Sequence, residues 1–152
     1  MERALVVVES ADHARSLISE AGELAAGVGA DLKLLTLMDK DGYENDLETM
    51  ETIANVEGVS YSTEDIKESG RQFARDIATE ELGDRTVDYE PICEVVESGE
   101  EAHTIVTTAE REGCDYIFIA GRKRSPTGKA IFGDTTQRVI LDFDGIVSVV
   151  TQ

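Results

Sequence analysis

Residues 114–140 read CDYIFIAGRKRSPTGKAIFGDTTQRVI, and the fold is decided by how this stretch changes character along its length. It opens as an apolar run, Tyr116-Ile117-Phe118-Ile119-Ala120, and breaks at Gly121. A loop carrying Arg122, Lys123, Arg124 and Lys129 follows, then a second break at Gly133, after which the pattern turns helical. No acid stands between Asp115 and Asp134, although the chain carries a formal charge of −18. A short apolar run bounded by glycine reads as a buried strand. Basic residues gathered at its carboxyl end lie where open α/β sheets bind anionic ligands.

Outward from this stretch the chain repeats one rhythm. Residues 3–9 (RALVVVE) form a buried strand. Leu17, Ile18, Ala21, Leu24, Ala25 and Val28 then recur at three-four spacing and line one helix face. Ser10 or Asp12 can cap that helix, and Gly29 suits its C′ position. Residues 31–38 (DLKLLTLM) are the second strand, so the opening is a βαβ unit with a parallel pair. Residues 39–62 interrupt the rhythm with an acidic segment bearing a weak stripe, Leu47, Met50 and Ile53. It reads as a solvated insertion, with a lid over a ligand as the lesser alternative. A helix over 63–82 turns Ile66, Phe73, Ile77 and Leu82 inward and stops at Gly83. The third strand, 86–95, contains Pro91, which cannot donate to a central ladder and places this strand at a sheet edge. A helix through Ala102, Ile105, Val106 and Ala109 follows, then the quoted stretch with a helix over 134–142, and a last strand at 145–151. The expectation is one doubly wound α/β domain over 1–152, Rossmann-like, with helices on both faces.

Composition narrows the class. Asp and Glu total 32 against 14 Lys and Arg, which disfavours nucleic acid and anionic membrane as partners. With aromatic residues at 5% and no Trp, neither a carbohydrate cleft nor a base-stacking surface is indicated. Only five residues are Lys, and an acidic, Lys-poor surface suits concentrated salt, so a halophilic source is the first explanation and an ordinary acidic cytosolic protein the second. Cys93 and Cys114 show no metal spacing and read as buried small hydrophobes in a reducing compartment. No apolar run reaches 18 residues, so a cytoplasmic protein is expected.

The chemistry concentrates at the basic loop. Gly121, Gly128 and Gly133 allow close backbone approach to a ligand. The helix after Gly133 offers unpaired N–H groups and the positive end of its dipole. Arg122, Arg124 and Lys129 add charge, and Ser125, Thr127 and Thr135 add hydroxyls, which together make a phosphate cradle. The structural alternative is that the glycines are plain turn residues, that Asp134 and Gln137 form a capping pair, and that the basic loop pairs with surface acids. TGKA at 127–130 is not a P-loop, because Lys123 stands where the leading glycine belongs and Ala130 where the metal-binding hydroxyl belongs. Ser10, Asp12 and His13 sit at a helix start as cap and surface residues, not as a triad. Two histidines and two isolated cysteines give no zinc signature, and no nucleophile or base stands out, so no enzyme is expected.

The order of elements, the long middle connection, the closing VSVV and above all GRKRSPTGKAIFGDTTQ resemble the universal stress protein family, in its haloarchaeal form. That resemblance implies a five-stranded sheet of order 3-2-1-4-5 and a Gly-x2-Gly-x9-Gly-Ser/Thr motif holding the phosphates of ATP. It assigns Gly121 to the first glycine, Gly133 to the third, Glu9 to the first-strand acid that meets adenosine, and Leu37 to the apolar position beside adenine. It also implies a homodimer through the last strand, 145–151.

Two positions depart from the motif. Arg124 replaces the second glycine, and Asp134 replaces the Ser or Thr, putting a carboxylate where a phosphate oxygen should rest. Either Arg124, Gly128 and a bridging divalent cation such as Mg2+ restore a site for ATP or AMP, or Asp134 pairs with a loop arginine and nucleotide is lost. The first gives a stress-response or signalling module that binds nucleotide; the second gives a dimeric protein-interaction module of the same fold.

Overall fold

The computed structural model describes residues 1–9, 11–40, 63–121 and 133–151. Their elements run β1 (Arg3–Val8), α1 (Ala11–Val28), β2 (Asp31–Asp39), α2 (Thr63–Leu82), β3 (Tyr89–Val96), α3 (Glu101–Arg111), β4 (Tyr116–Gly121), α4 (Asp134–Asp142) and β5 (Ile146–Thr151). The strands form one parallel sheet in the order β3-β2-β1-β4-β5. This is the expected architecture, and Pro91 lies on the edge strand β3 as its missing N–H requires.

The period-two alternation of the central strands sorts the core into two layers. Ala4, Val6 and Val8 of β1 point with Leu32, Leu34, Phe118 and Ala120 toward α1 and α2. Leu5 and Val7 point with Leu35, Ile92, Ile117 and Ile119 toward α3 and α4. Each fully buried Leu, Ile or Val contributes roughly 1.5–3 kcal/mol of burial free energy. Both layers are therefore needed to hold a sheet that is apolar on both sides. Gly22 and Gly70 let the α1–α2 layer close down. A methyl group at Gly22 would meet the Leu82 side chain, and one at Gly70 would lie 2.7 Å from the Cys93 sulfur.

Three expected core residues lie outside it. Leu24, Val28 and Phe73 belong to the apolar stripes of α1 and α2 but are exposed by 43%, 62% and 37%. The stripes are wider than the arc the sheet covers: Leu17, Ile18, Ala21 and Ala25 fill the contact on α1, while Ile66, Ala74, Ile77, Ala78 and Leu82 fill it on α2. Cys93 and Cys114 are buried free thiols, as expected, and burial pushes the Cys114 thiol up to about 11. Gly29 adopts a left-handed φ of 73° just past α1. The helix begins at Ala11, so Asp12 lies in its first turn and is not its cap, and Ser10 is outside the described residues. His103 is exposed on α3. The stripe Leu47, Met50 and Ile53 also lies outside the described residues. Among those described, no helix is long and apolar enough to cross a membrane.

Candidate functional site

The sheet opens at one place. β1 pairs with β2 from Arg3↔Asp31 through Val8↔Thr36, and β4 pairs with β5 from Tyr116↔Ile146 through Gly121↔Thr151. Between β1 and β4 the pairing stops at Val6↔Phe118. Beyond that pair the two central strands run on without each other. One residue past the end of β1 stands Glu9, and the last residue of β4 is Gly121. The chain order reverses here, because β1 leads outward to β2 and β3 while β4 leads outward to β5. Crevices at such switch points, at the carboxyl ends of parallel strands, are where α/β sheets take ligands.

α4 brings its amino end into the same region. Gly133 is the N-cap residue, with φ 90° and ψ 151°, a conformation that strains any residue with a Cβ. No side-chain cap bond closes this end of the helix among the described residues. The Asp134–Gln137 capping pair is thereby overturned. The helix starts one residue earlier than that pairing needs, and the Gln137 amide donates to the Gly133 carbonyl at 3.0 Å. Asp134 is consequently the first helical residue, exposed, with its carboxylate beside the positive end of the dipole. Thr135 is half-buried, and Thr136 is buried with its hydroxyl donating to the Ala120 carbonyl at 3.0 Å.

Of the residues expected at the site, Gly121, Gly133, Asp134 and Thr135 flank this opening. Glu9 is exposed beyond β1, and Leu37 is half-buried in β2, packed against the α3–α4 layer. Arg122, Arg124, Ser125 and Gly128 lie outside the described residues, as do Lys123, Thr127 and Lys129. Thr136 was not anticipated; the one signal for it is a hydroxyl three residues before Val139 on the buried stripe of α4. A separate polar cleft of about 400 Å³ at the carboxyl ends of β2 and β3 is lined by Asp39, Lys40, Glu97 and Ser98. Lys40 and Glu97 form an ion pair across it at 3.0 Å. Among the described residues no cluster of His, Cys, Asp and Glu could hold a metal ion by itself.

The model of the universal stress protein family matches residues 1–150. The chain belongs to the universal stress protein family. Solved structures agree with that membership. A universal stress protein from Archaeoglobus fulgidus is 25% identical, with TM-score 0.67 over 98% of this chain and 97% of that one. A second structure from Archaeoglobus fulgidus, in complex with dAMP, is 18% identical, with TM-score 0.60 over 98% and 96% of the two chains. A universal stress protein in complex with cAMP is 15% identical, with TM-score 0.63 over 99% and 96%. At these last identities the likeness is one of fold. A comparison with curated proteins found no match.

Proposed function

We propose that this universal stress protein is a one-domain, nucleotide-binding module for stress response or signalling that takes ATP or AMP in the crevice between β1 and β4. The observation that carries this reading is the end of β1–β4 pairing at Val6↔Phe118, with a helix start at Gly133 that has no side-chain cap among the described residues. Glu9 would meet the ribose and Leu37 the adenine. Phosphates would lie against the Gly133 end of α4, gripped by Arg122 and Arg124 and by the hydroxyls of Ser125 and Thr135, with Gly121 and Gly128 giving the backbone room. That fold relatives are known with dAMP and cAMP is consistent with a purine nucleotide. Asp134 is the obstacle, and a magnesium ion bridging its carboxylate to a phosphate oxygen would remove it. The reading is of binding, not of catalysis.

The same carboxylate favours a second reading, in which the acid itself occupies the anion-attracting end of α4 and the protein acts through protein contacts alone. Both readings include a homodimer through β5, an edge strand whose Ile146 is 58% exposed. The deciding experiment is calorimetric titration of nucleotide-free protein in molar KCl with ATP, AMP and cyclic AMP, with and without magnesium. Saturable heat that is lost in Arg124→Ala supports the nucleotide site, and magnesium dependence assigns the role of Asp134. Absence of heat from a folded dimer leaves the interaction module.

A further inference from the structure

We propose that Thr136 is the positioning residue of the phosphate end, fixing the first turn of α4 to the carboxyl end of β4 through its hydroxyl. The inference rests on the nucleotide reading above and names a residue outside the set given there. Its starting point is where helical hydroxyls go in this molecule. Thr79 donates to Arg75 O at 2.9 Å, Thr104 to Glu100 O at 2.9 Å and Thr107 to His103 O at 2.8 Å, each one turn back along its own helix. Such bonds are local and tie nothing together. Thr136 instead reaches 16 residues back in sequence, to Ala120 O on β4 at 3.0 Å, and does so while 4% exposed.

The acceptor is as telling as the donor. Ala120 lies beyond Phe118, the last residue of β4 to pair with β1, and is paired on its other side with Val150. It immediately precedes Gly121, where the phosphate loop leaves the sheet. Thr136 in turn stands three residues after Gly133, where that loop re-enters regular structure. One buried hydrogen bond therefore joins the two ends of the loop and fixes the distance between the last turn of backbone on β4 and the N–H groups at the start of α4. Binding groups of this kind must be held to within about 0.5 Å by the shell behind them. A Val at the same place would match the shape of Thr136, leave the Ala120 carbonyl without this donor, and let the helix start drift.

The test uses three variants of the full chain, titrated with ATP in molar KCl alongside thermal melting. Thr136→Val removes the hydroxyl and keeps the branching. Thr136→Ser keeps the hydroxyl. Ile105→Val is a destabilising change at a fully buried position of α3, an element that carries neither end of the loop. Thr136→Val should bind ATP on the order of tenfold more weakly, as loss of a supporting partner behind a ligand does. Thr136→Ser should remain within about twofold of wild type, since the bond is retained. Ile105→Val should lower the melting temperature and leave affinity unchanged, which separates positioning from mere stability. Wild-type affinity in Thr136→Val, or equal weakening in Ile105→Val, overturns the role of Thr136 while the nucleotide site stands. Failure of the wild type itself to bind appears in the first titration and removes the site reading and the Thr136 role together.

Discussion

The two ends of the sheet are built on opposite plans. At the amino end the strands are pinned. Arg3 holds Asp31 at 2.8 Å and donates to the Glu112 carbonyl at 2.7 Å, so one side chain of β1 reaches β2 and the end of α3. Asp115, just before β4, accepts from the amides of Glu2 and Arg3 at 3.1–3.2 Å. Further along, Lys33 reaches Glu90 across the β2–β3 pair at 2.6 Å. At the carboxyl end β1 and β4 part after Val6 and Phe118, and a glycine with positive φ starts the neighbouring helix. Charges that pair with each other stabilise an end, and backbone left unpaired makes an end available. Among the described residues, the ion pairs that tie β1 to β2 and β2 to β3 through strand side chains lie toward the amino end.

Phe118 stands at the boundary between the two regimes, fully buried and stacked on Tyr116 with ring centroids 4.8 Å apart. Phe118→Ala should therefore break the comparison outright, destabilising the fold by about 3–5 kcal/mol in urea unfolding and weakening nucleotide binding with it. A change confined to the pinned end should not. A Cβ at Gly145 would lie 2.8 Å from the Asp115 carbonyl oxygen and 2.5 Å from a ring carbon of Phe143. Gly145→Ala should lower stability by about 1–3 kcal/mol and leave ATP affinity at the wild-type value, read by unfolding and calorimetry on the same sample. Equal loss of affinity would mean that the ends are coupled.

How legible each end was in the sequence follows from the same contrast. The elements came from local pattern: short unbroken apolar runs in 3–9 and 116–120, three-four spacing between them, and Pro91 for the edge, while the full strand order came from the family resemblance. Such patterns are local, and the packing that uses them is wide enough to tolerate error at the flanks. Leu24, Val28 and Phe73 are that error, apolar residues at the margin of a stripe the sheet does not reach. Tertiary bonds to backbone were invisible, because a carbonyl has no sequence. Nothing near Asp115 announces that its carboxylate receives amides 112 and 113 residues away, and nothing near Thr136 announces Ala120. The Asp134–Gln137 cap misled for a related reason. Gly133 at φ 90° begins the helix itself and moves the cap register by one. The loop charges stand in the sequence but lie outside the described residues, and of the glycines at the loop's two ends Gly121 closes β4 and Gly133 precedes α4.

Asp134 lets the carboxyl end be tuned without touching the other. As the first residue of α4 its carboxylate favours the helix dipole, a contribution of about 0.3–1 kcal/mol. That same placement opposes a phosphate. Asp134→Ser should bind ATP about fivefold more tightly in the absence of magnesium, the affinity equivalent of the upper end of that range. It should also melt slightly lower, and the gain should shrink when magnesium is present. Unchanged affinity with lower stability would assign Asp134 to the helix alone.

Asp115 supplies the smallest and sharpest test of the pinned end. Partial burial would raise its pKa, but the amides of Arg3 and Glu2 and the nearby amino terminus outweigh that and hold the carboxyl below its ordinary value. A carboxyl depressed on folding contributes stability that is fully present above its unfolded pKa, near 4, and is lost as pH falls through the folded value. With the side chain 49% exposed, solvent screening limits that contribution to below about 1 kcal/mol. Asp115→Asn should therefore melt lower than wild type at pH 7, with the gap constant down to about pH 5 and closing below about pH 4. ATP affinity should not move at any pH in that range. A gap that persisted into acid would show that Asn fails by shape and not by charge, and the electrostatic account of this end of the sheet would then rest on Arg3 and Asp31 alone.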